Sequence, residues 1–182
     1  MLQWIQDIDN AILFFIQDNF HSPLLNPILV FISTIGNSGA VWLFTAALFL
    51  FLPRYRKYGL MLLLALLFTS VTGEILIKPL VQRIRPCNAD LLMPMLIPRP
   101  HSFSFPSGHT SSSFAAALVI WKADKKLRIY AVVLAFLIAF SRLYLFVHYP
   151  SDILGGLLLG LLCGAISIRI INRFNRNSSN RI

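Results

Sequence analysis

The feature that most constrains this chain is a series of long apolar blocks, separated by short stretches that hold most of its Lys and Arg. The blocks run over Leu24 to Ile35, Ala40 to Leu52, Gly59 to Leu80, Ser107 to Trp121, Leu127 to Val147 and Ser151 to Ile171. A membrane crossing takes roughly 20 predominantly apolar residues, and the last four blocks approach that length. Soluble domains carry about a quarter charged residues, whereas this chain of 182 residues carries 13%. The reading is an all-α integral membrane protein: a bundle of about six transmembrane helices and no separate soluble domain.

Before the first block, Leu2 to Asn19 has helical periodicity, with Ile5, Ile8, Ile12, Phe15 and Ile16 on one face and Gln6, Asn10 and Gln17 on another. Such a helix lies in the membrane interface or packs on the bundle. Residues 1–22 are therefore an amphipathic segment, 23–171 the membrane domain and 172–182 a basic tail. The "GNSG" at Gly36 to Gly39 breaks the first two blocks. They form either two short helices joined by a tight turn or one kinked helix. The first Lys or Arg is Arg54, so the basic start of a cleavable signal peptide is missing.

The formal net charge of +9 would suggest nucleic acid in a soluble protein. Here topology accounts for much of it. Arg54, Arg56 and Lys57, then Lys122, Lys125, Lys126 and Arg128, then Arg169, Arg173, Arg176 and Arg181 fall on one side by alternation. That side is expected to be cytoplasmic. The other side receives Lys78, Arg83, Arg85, Arg99 and Arg142, which the topological rule leaves unexplained. Cys87 and Cys163 lie in a loop and in an apolar helix, with no disulfide framework implied.

The same side collects Ser107, Gly108 and His109 at a helix start, and His148 and Asp152 around a turn. Lys78, Arg85 and Arg142 can neutralise a multiply charged oxyanion. A helix start offers free N–H groups to an anion, Gly108 allows close approach, and Ser107 has a hydroxyl to donate. Two histidines can divide nucleophilic and acid roles, and Asp152 can orient one imidazole. This set predicts a bound phosphate. A metal fits poorly, because the fixed cations outnumber the nearby carboxylates. Arg83 and Arg99 read as residues snorkelling to headgroups, and His21 and His101 as structural. Glu74, one helical turn before Lys78, reads as its ion-pair partner.

Three stretches then line up with a known pattern. "KPLVQRIRP" (Lys78 to Pro86), "PSGH" (Pro106 to His109) and "SRLYLFVHYPSD" (Ser141 to Asp152) resemble the tripartite signature of the type 2 phosphatidic acid phosphatase superfamily. The resemblance implies that His148 attacks phosphorus, Asp152 orients it, and His109 protonates the leaving oxygen. It implies that Lys78, Arg85, Ser107, Gly108 and Arg142 hold the phosphoryl oxygens, and that no metal or other cofactor takes part. The expected substrate is a lipid phosphate or diphosphate in the membrane, undecaprenyl diphosphate first and phosphatidate or phosphatidylglycerophosphate second. Nucleic acid is not expected as a partner, and the oligomeric state stays open. An anion transporter or a headgroup-binding scaffold is the rival class. A transporter would spread ionisable residues through the membrane depth, and a scaffold would not need two histidines with Asp152.

Two small-residue patterns complete the reading. Gly156, Gly160 and Gly164 recur every four residues, which suits close helix packing within the bundle or a dimer contact. "TSSS", Thr110 to Ser113, is expected to serve close packing as well.

Overall fold

The computed structural model describes residues 3–179, with side chains through 176. Leu2 and Arg181 lie outside the described residues. The described chain is all helical. Helix α1 spans Gln3–Phe20 and α2 spans Leu25–Ile35. A 3₁₀ turn over Asn37–Gly39 leads into α3, Ala40–Phe51. Helix α4, Arg56–Ser70, continues through a π-helical turn, Val71–Ile77, into the short α5, Lys78–Val81. A short α6, Pro86–Ala89, and a long loop precede α7, Gly108–Ala123. Helices α8, Leu127–Tyr144, and α9, Pro150–Ser179, follow.

Among the described residues, three helical segments are long and apolar enough to cross a membrane: Arg56–Ala89, Leu127–Tyr144 and Pro150–Arg176. The pair α2 and α3 adds a fourth if its 48° bend is a break within one span. The chain therefore bends at "GNSG" without reversing, as the kinked-helix alternative requires. Ser38 and Gly39 both take positive φ there, 51° and 70°, which interrupts the hydrogen-bond ladder. Phe44, Phe51, Leu80 and Leu158 all stand exposed on the outside. Large apolar side chains in that position suit lipid as the surrounding solvent.

Helix α7 is the central post, packed against α4, α8 and α9. Thr110 to Ala117 are buried without exception. Small side chains are what let three helices approach it. Gly160 of α9 meets it most closely: a Cβ there would fall 2.4 Å from the Ser111 carbonyl oxygen. The run "TSSS" thus packs as expected, and the glycine repeat of α9 serves the bundle. Its hydroxyls are also used, Ser113 accepting a hydrogen bond from the Trp42 indole at 2.9 Å. A core of Trp42, Ala46 and Phe49 from α3, Met61, Leu62 and Ala65 from α4, and Ala131, Ala135 and Ile138 from α8 surrounds this post.

Helix α1 uses two faces. Asp9, Leu13 and Ile16 are buried against the bundle, while Trp4, Ile8, Ile12 and Phe15 are exposed. The apolar face read from the sequence is mostly the outward one. Helix α9 runs on as one helix to Ser179, so the tail expected from residue 172 begins as its continuation.

Candidate active site

Each of the three motifs is delivered by a break in helical structure. The π turn carries α4 on to Lys78, and Gln82, at φ 50°, ends α5 in a left-handed cap. Arg85 follows in extended conformation as the N-cap of α6. Ser107 caps α7, its hydroxyl accepting from the Thr110 hydroxyl at 3.0 Å and, more weakly, from the Thr110 N–H at 3.4 Å. Between α8 and α9 the chain turns at Phe146, φ 57°. A bulky residue there is uncommon, and it occurs next to the residue pair of interest.

That pair is His148 and Asp152. His148 Nδ1 lies 3.3 Å from Asp152 Oδ2, and Asp152 Oδ2 also accepts the Tyr149 N–H at 2.9 Å. On the other side of the ring, Arg85 Nη1 is 2.9 Å from His148 Nε2. A guanidinium only donates, so Nε2 is the acceptor and Nδ1 carries the proton toward Asp152. This is the tautomer in which Nε2 is unprotonated, its lone pair accepting from Arg85. Burial, then Arg85, Arg142 and Lys78, hold the His148 pKa well below the ordinary imidazole value.

His148, Lys78, Arg85, Gly108, His109 and Arg142 all line one cavity of about 980 Å3. Asp152 stands behind His148 and is fully buried. Arg142 contacts the Ser33 hydroxyl, and its Nε is buried without a hydrogen-bond partner. Lys78 donates to both oxygens of Glu74 at 2.7 Å, the ion pair expected from their spacing. Glu74 Oε1 also lies where a side chain on residue 108 would begin, 2.5 Å from a Cβ built on Gly108. Glycine is therefore required at 108 for a carboxylate to come that close. The cavity lining also includes Leu43 of α3 and Leu63, Leu66 and Leu67 of α4.

Of the eight residues singled out from the sequence, six face the cavity and Asp152 supports one of them. Ser107 differs. Its side chain is fully buried and occupied as the N-cap of α7, and its N–H donates to the Asp152 carbonyl oxygen at 3.1 Å. Arg83 also departs from the sequence reading, because it does not snorkel. It is 8% exposed and bonds Asp152 Oδ1 at 2.7 Å and Asp9 Oδ2 at 2.6 Å. Arg99 clips the loop by donating to the carbonyls of Asp90, Leu91 and Met93, and it also lines the cavity. His21 is structural as read, stacked on Tyr144 at 4.2 Å.

The α2–α3 break supplies residues the motifs gave no reason to expect. Asn37 Oδ1 is 3.0 Å from His109 Nε2, and Ser33 holds Arg142. Their only sequence signal was polar character inside an apolar region. No group of three or more potential metal ligands occurs among the described residues.

The chain is similar to several known proteins. The chain is 34% identical over 147 residues to an undecaprenyl-diphosphatase of Sulfolobus acidocaldarius, an alignment covering 80% of this chain and 70% of that one. The crystal structure of Aquifex aeolicus LpxE superposes with a TM-score of 0.78 at 31% identity, covering 89% of this chain and 95% of that one. A transmembrane PAP2 type phosphatidylglycerolphosphate phosphatase from Bacillus subtilis gives 0.77 at 26%, covering 94% and 88%. The profile of the PAP2 superfamily matches residues 54–176, a stretch that holds all three motifs. With its apolar helices, its cationic cavity and these relatives, the chain belongs to the PAP2 superfamily, as a membrane-bound lipid phosphatase that hydrolyses phosphoric esters.

Proposed function

We propose that this protein removes a terminal phosphate from a lipid phosphate or diphosphate, through a phosphohistidine at His148. The observation that carries the reading is the His148 ring, with Nδ1 turned to Asp152 and Nε2 turned to the cation-lined cavity. In the first step Nε2 bonds to phosphorus as the phosphorus–oxygen bond to the lipid breaks. His109 gives its proton to the departing oxygen. In the second step water attacks phosphorus, the nitrogen–phosphorus bond breaks, and His109 takes back a proton. Lys78, Arg85 and Arg142 balance charge on the phosphoryl oxygens throughout, which is most of what phosphoryl transfer requires. Arg85 gives up its bond to Nε2 when phosphate arrives. Ser107 serves this site as the cap that fixes the start of α7, and Gly108 gives the phosphate its close approach.

The cavity favours a lipid over a soluble ester, because leucines of α3 and α4 share its lining with the cationic residues. Undecaprenyl diphosphate is the leading substrate, supported by the Sulfolobus relative. Phosphatidylglycerophosphate is the second, supported by the Bacillus structure. In the topology we propose, the broken α2–α3 pair, α4–α5, α7, α8 and α9 make five crossings. Helix α1 then lies on the site's side of the membrane, its Trp4, Ile8, Ile12 and Phe15 face toward lipid. The loops bearing Arg54 and Lys122 to Arg128 lie together at the opposite end. Their positive charge makes that end cytoplasmic and the site extracytoplasmic.

The test is phosphate release by purified protein from a panel of lipid phosphates, with and without chelator. His148→Ala should lower turnover by roughly 10⁴-fold or more, and a phosphorylated histidine should be trapped in the parent protein alone. Turnover surviving in that variant rejects the covalent mechanism, and strong inhibition by chelator rejects catalysis without a metal. Comparing catalytic efficiencies on undecaprenyl diphosphate and phosphatidylglycerophosphate chooses between the two substrates.

A further inference from the structure

A chain of buried charges runs from the N-terminal helix to the back of the candidate nucleophile. Asp9 of α1 is 2% exposed, Arg83 8% and Asp152 0%. Arg83 spans the two carboxylates, with Nη2 on Asp9 and Nη1 on Asp152. Its Nη2 also donates to Gln6 at 2.8 Å and its Nη1 to the Ser151 hydroxyl at 2.7 Å. The guanidinium lies 3.9 Å from the centre of the Tyr149 ring. Asp9 reaches further: its Oδ1 accepts the Ser151 N–H at 2.8 Å. That N–H belongs to the first turn of α9, where backbone donors have no partner within the helix. Asp9 therefore caps the helix that bears Asp152 while also holding the arginine that binds Asp152.

Headgroup binding does not explain this geometry. An arginine serving lipid would keep its fork in water. This fork is spent on four side chains of the protein, from α1 and α9, and it does not line the cavity. Buried carboxylates are costly unless paired. Asp152 divides its two oxygens, Oδ1 to Arg83 and Oδ2 to the His148 ring and the Tyr149 N–H. Fixing the first oxygen fixes the direction of the second.

We propose that Arg83 and Asp9 are positioning residues for the His148–Asp152 pair, so that the N-terminal helix is a working part of the site. The proposal rests on the phosphohistidine reading. Arg83 locks the rotation of the Asp152 carboxylate, and Asp9 locks Arg83. The two also set the charge behind the imidazole. In front of it, Arg85, Arg142 and Lys78 face the ring from other elements, with His109 across the cavity and Glu74 pairing Lys78. Behind it stand Asp152 on α9, Arg83 and Asp9. Taking away the positive charge of Arg83 leaves two carboxylates behind the ring and favours its protonation. Taking away the negative charge of Asp9 acts in the opposite sense.

The experiment compares Arg83→Gln, Arg83→Lys and Asp9→Asn with the parent protein on undecaprenyl diphosphate in detergent, across pH. Because the substrate is common, its own ionisation cancels in the ratio of variant to parent. His148→Ala is run alongside. Arg83→Gln should lower kcat by roughly 10- to 100-fold, the range usual for partners that orient a reacting group. Its inhibition constant for inorganic phosphate should stay the same, and the acid limb of kcat/KM should move to higher pH. Arg83→Lys keeps the charge, so its limb should stay near the parent's although kcat falls. Asp9→Asn should lower kcat with no upward move of the limb. Thermal unfolding in the same detergent identifies folded variants; if Arg83→Gln fails to fold, Arg83→Lys and Asp9→Asn carry the test. An inactive His148→Ala beside folded Arg83 and Asp9 variants of parental kcat and pH profile overturns this proposal alone. An upward limb in Asp9→Asn overturns it as well. An active His148→Ala overturns the phosphohistidine reading, and this proposal with it.

Discussion

The two ends of the bundle are both basic, and they use their charge differently. At the site end, Lys78, Arg83, Arg85 and Arg142 are all buried. Each has an assigned partner: Glu74, Asp9 and Asp152, His148, and Ser33. At the other end, Arg54, Lys122, Lys125 and Lys126 are exposed around an open cavity. The carboxylate there, Asp124, takes the Tyr55 hydroxyl at 2.6 Å, and that bond holds it below the usual carboxylate range. Positive charge that sets topology needs only to stay in water near the membrane. Positive charge that does chemistry is desolvated and held in place, because in a drier environment it acts on a bound anion far more strongly.

Substitutions at the two ends can break this contrast. The largest effect is expected from Arg142→Gln, which removes a buried cation with an unpaired Nε. Its kcat/KM should fall by roughly 10²- to 10³-fold, the usual cost of one group stabilising transition-state charge. A loss below tenfold would place Arg142 with the topological charges. Lys78→Met should act next, and through pH. Lys78 is one of the cations that depress His148. The nucleophilic form is the deprotonated one, so removing Lys78 raises the folded pKa and moves the acid limb of kcat/KM to higher pH. A limb that stays in place or falls would show that Lys78 does not act on the ring. The smallest effect belongs to Lys122, Lys125 and Lys126. Changing all three to Gln should leave turnover in detergent within roughly twofold, as exposed charges remote from a site usually do. A larger loss would mean that the two ends are coupled through α7.

The site was legible where a motif kept its members in one segment. His148 and Asp152 are one helical turn apart, and Ser107, Gly108 and His109 are adjacent, so each motif can be read within one short segment. Asp9 and Arg83 are separated by 74 residues, and no local pattern relates them. A signal did exist in α1: Asp9 shares the stripe of Leu13 and Ile16 that is buried against the bundle. A carboxylate on a packed stripe calls for a cation opposite. That stripe was hard to see because the outward face, Ile8, Ile12 and Phe15, is the more apolar of the two. In a membrane protein lipid reverses the usual rule that the oiliest face turns inward. The hydroxyl of Ser107 is a different case, because the structure shows it buried as a helix cap. Its role as a helix cap and its role as a phosphate donor have the same sequence signature, and only coordinates separate them.

The π turn at Val71–Ile77 has a consequence for how this site could vary. A wider turn of this kind accommodates an extra residue within a helix. Lys78 follows it directly, so the bearing of its ammonium depends on how many residues precede it as well as on which they are. Straightening the turn into an ordinary helix with every residue kept would swing Lys78 by about 100° around the axis. The lysine would then point away from the cavity although every motif letter remained. In this segment, a substitution that restores regular α-helical hydrogen bonding is a stronger change than most, and the shape of the run leading to Lys78 is part of the information the site requires.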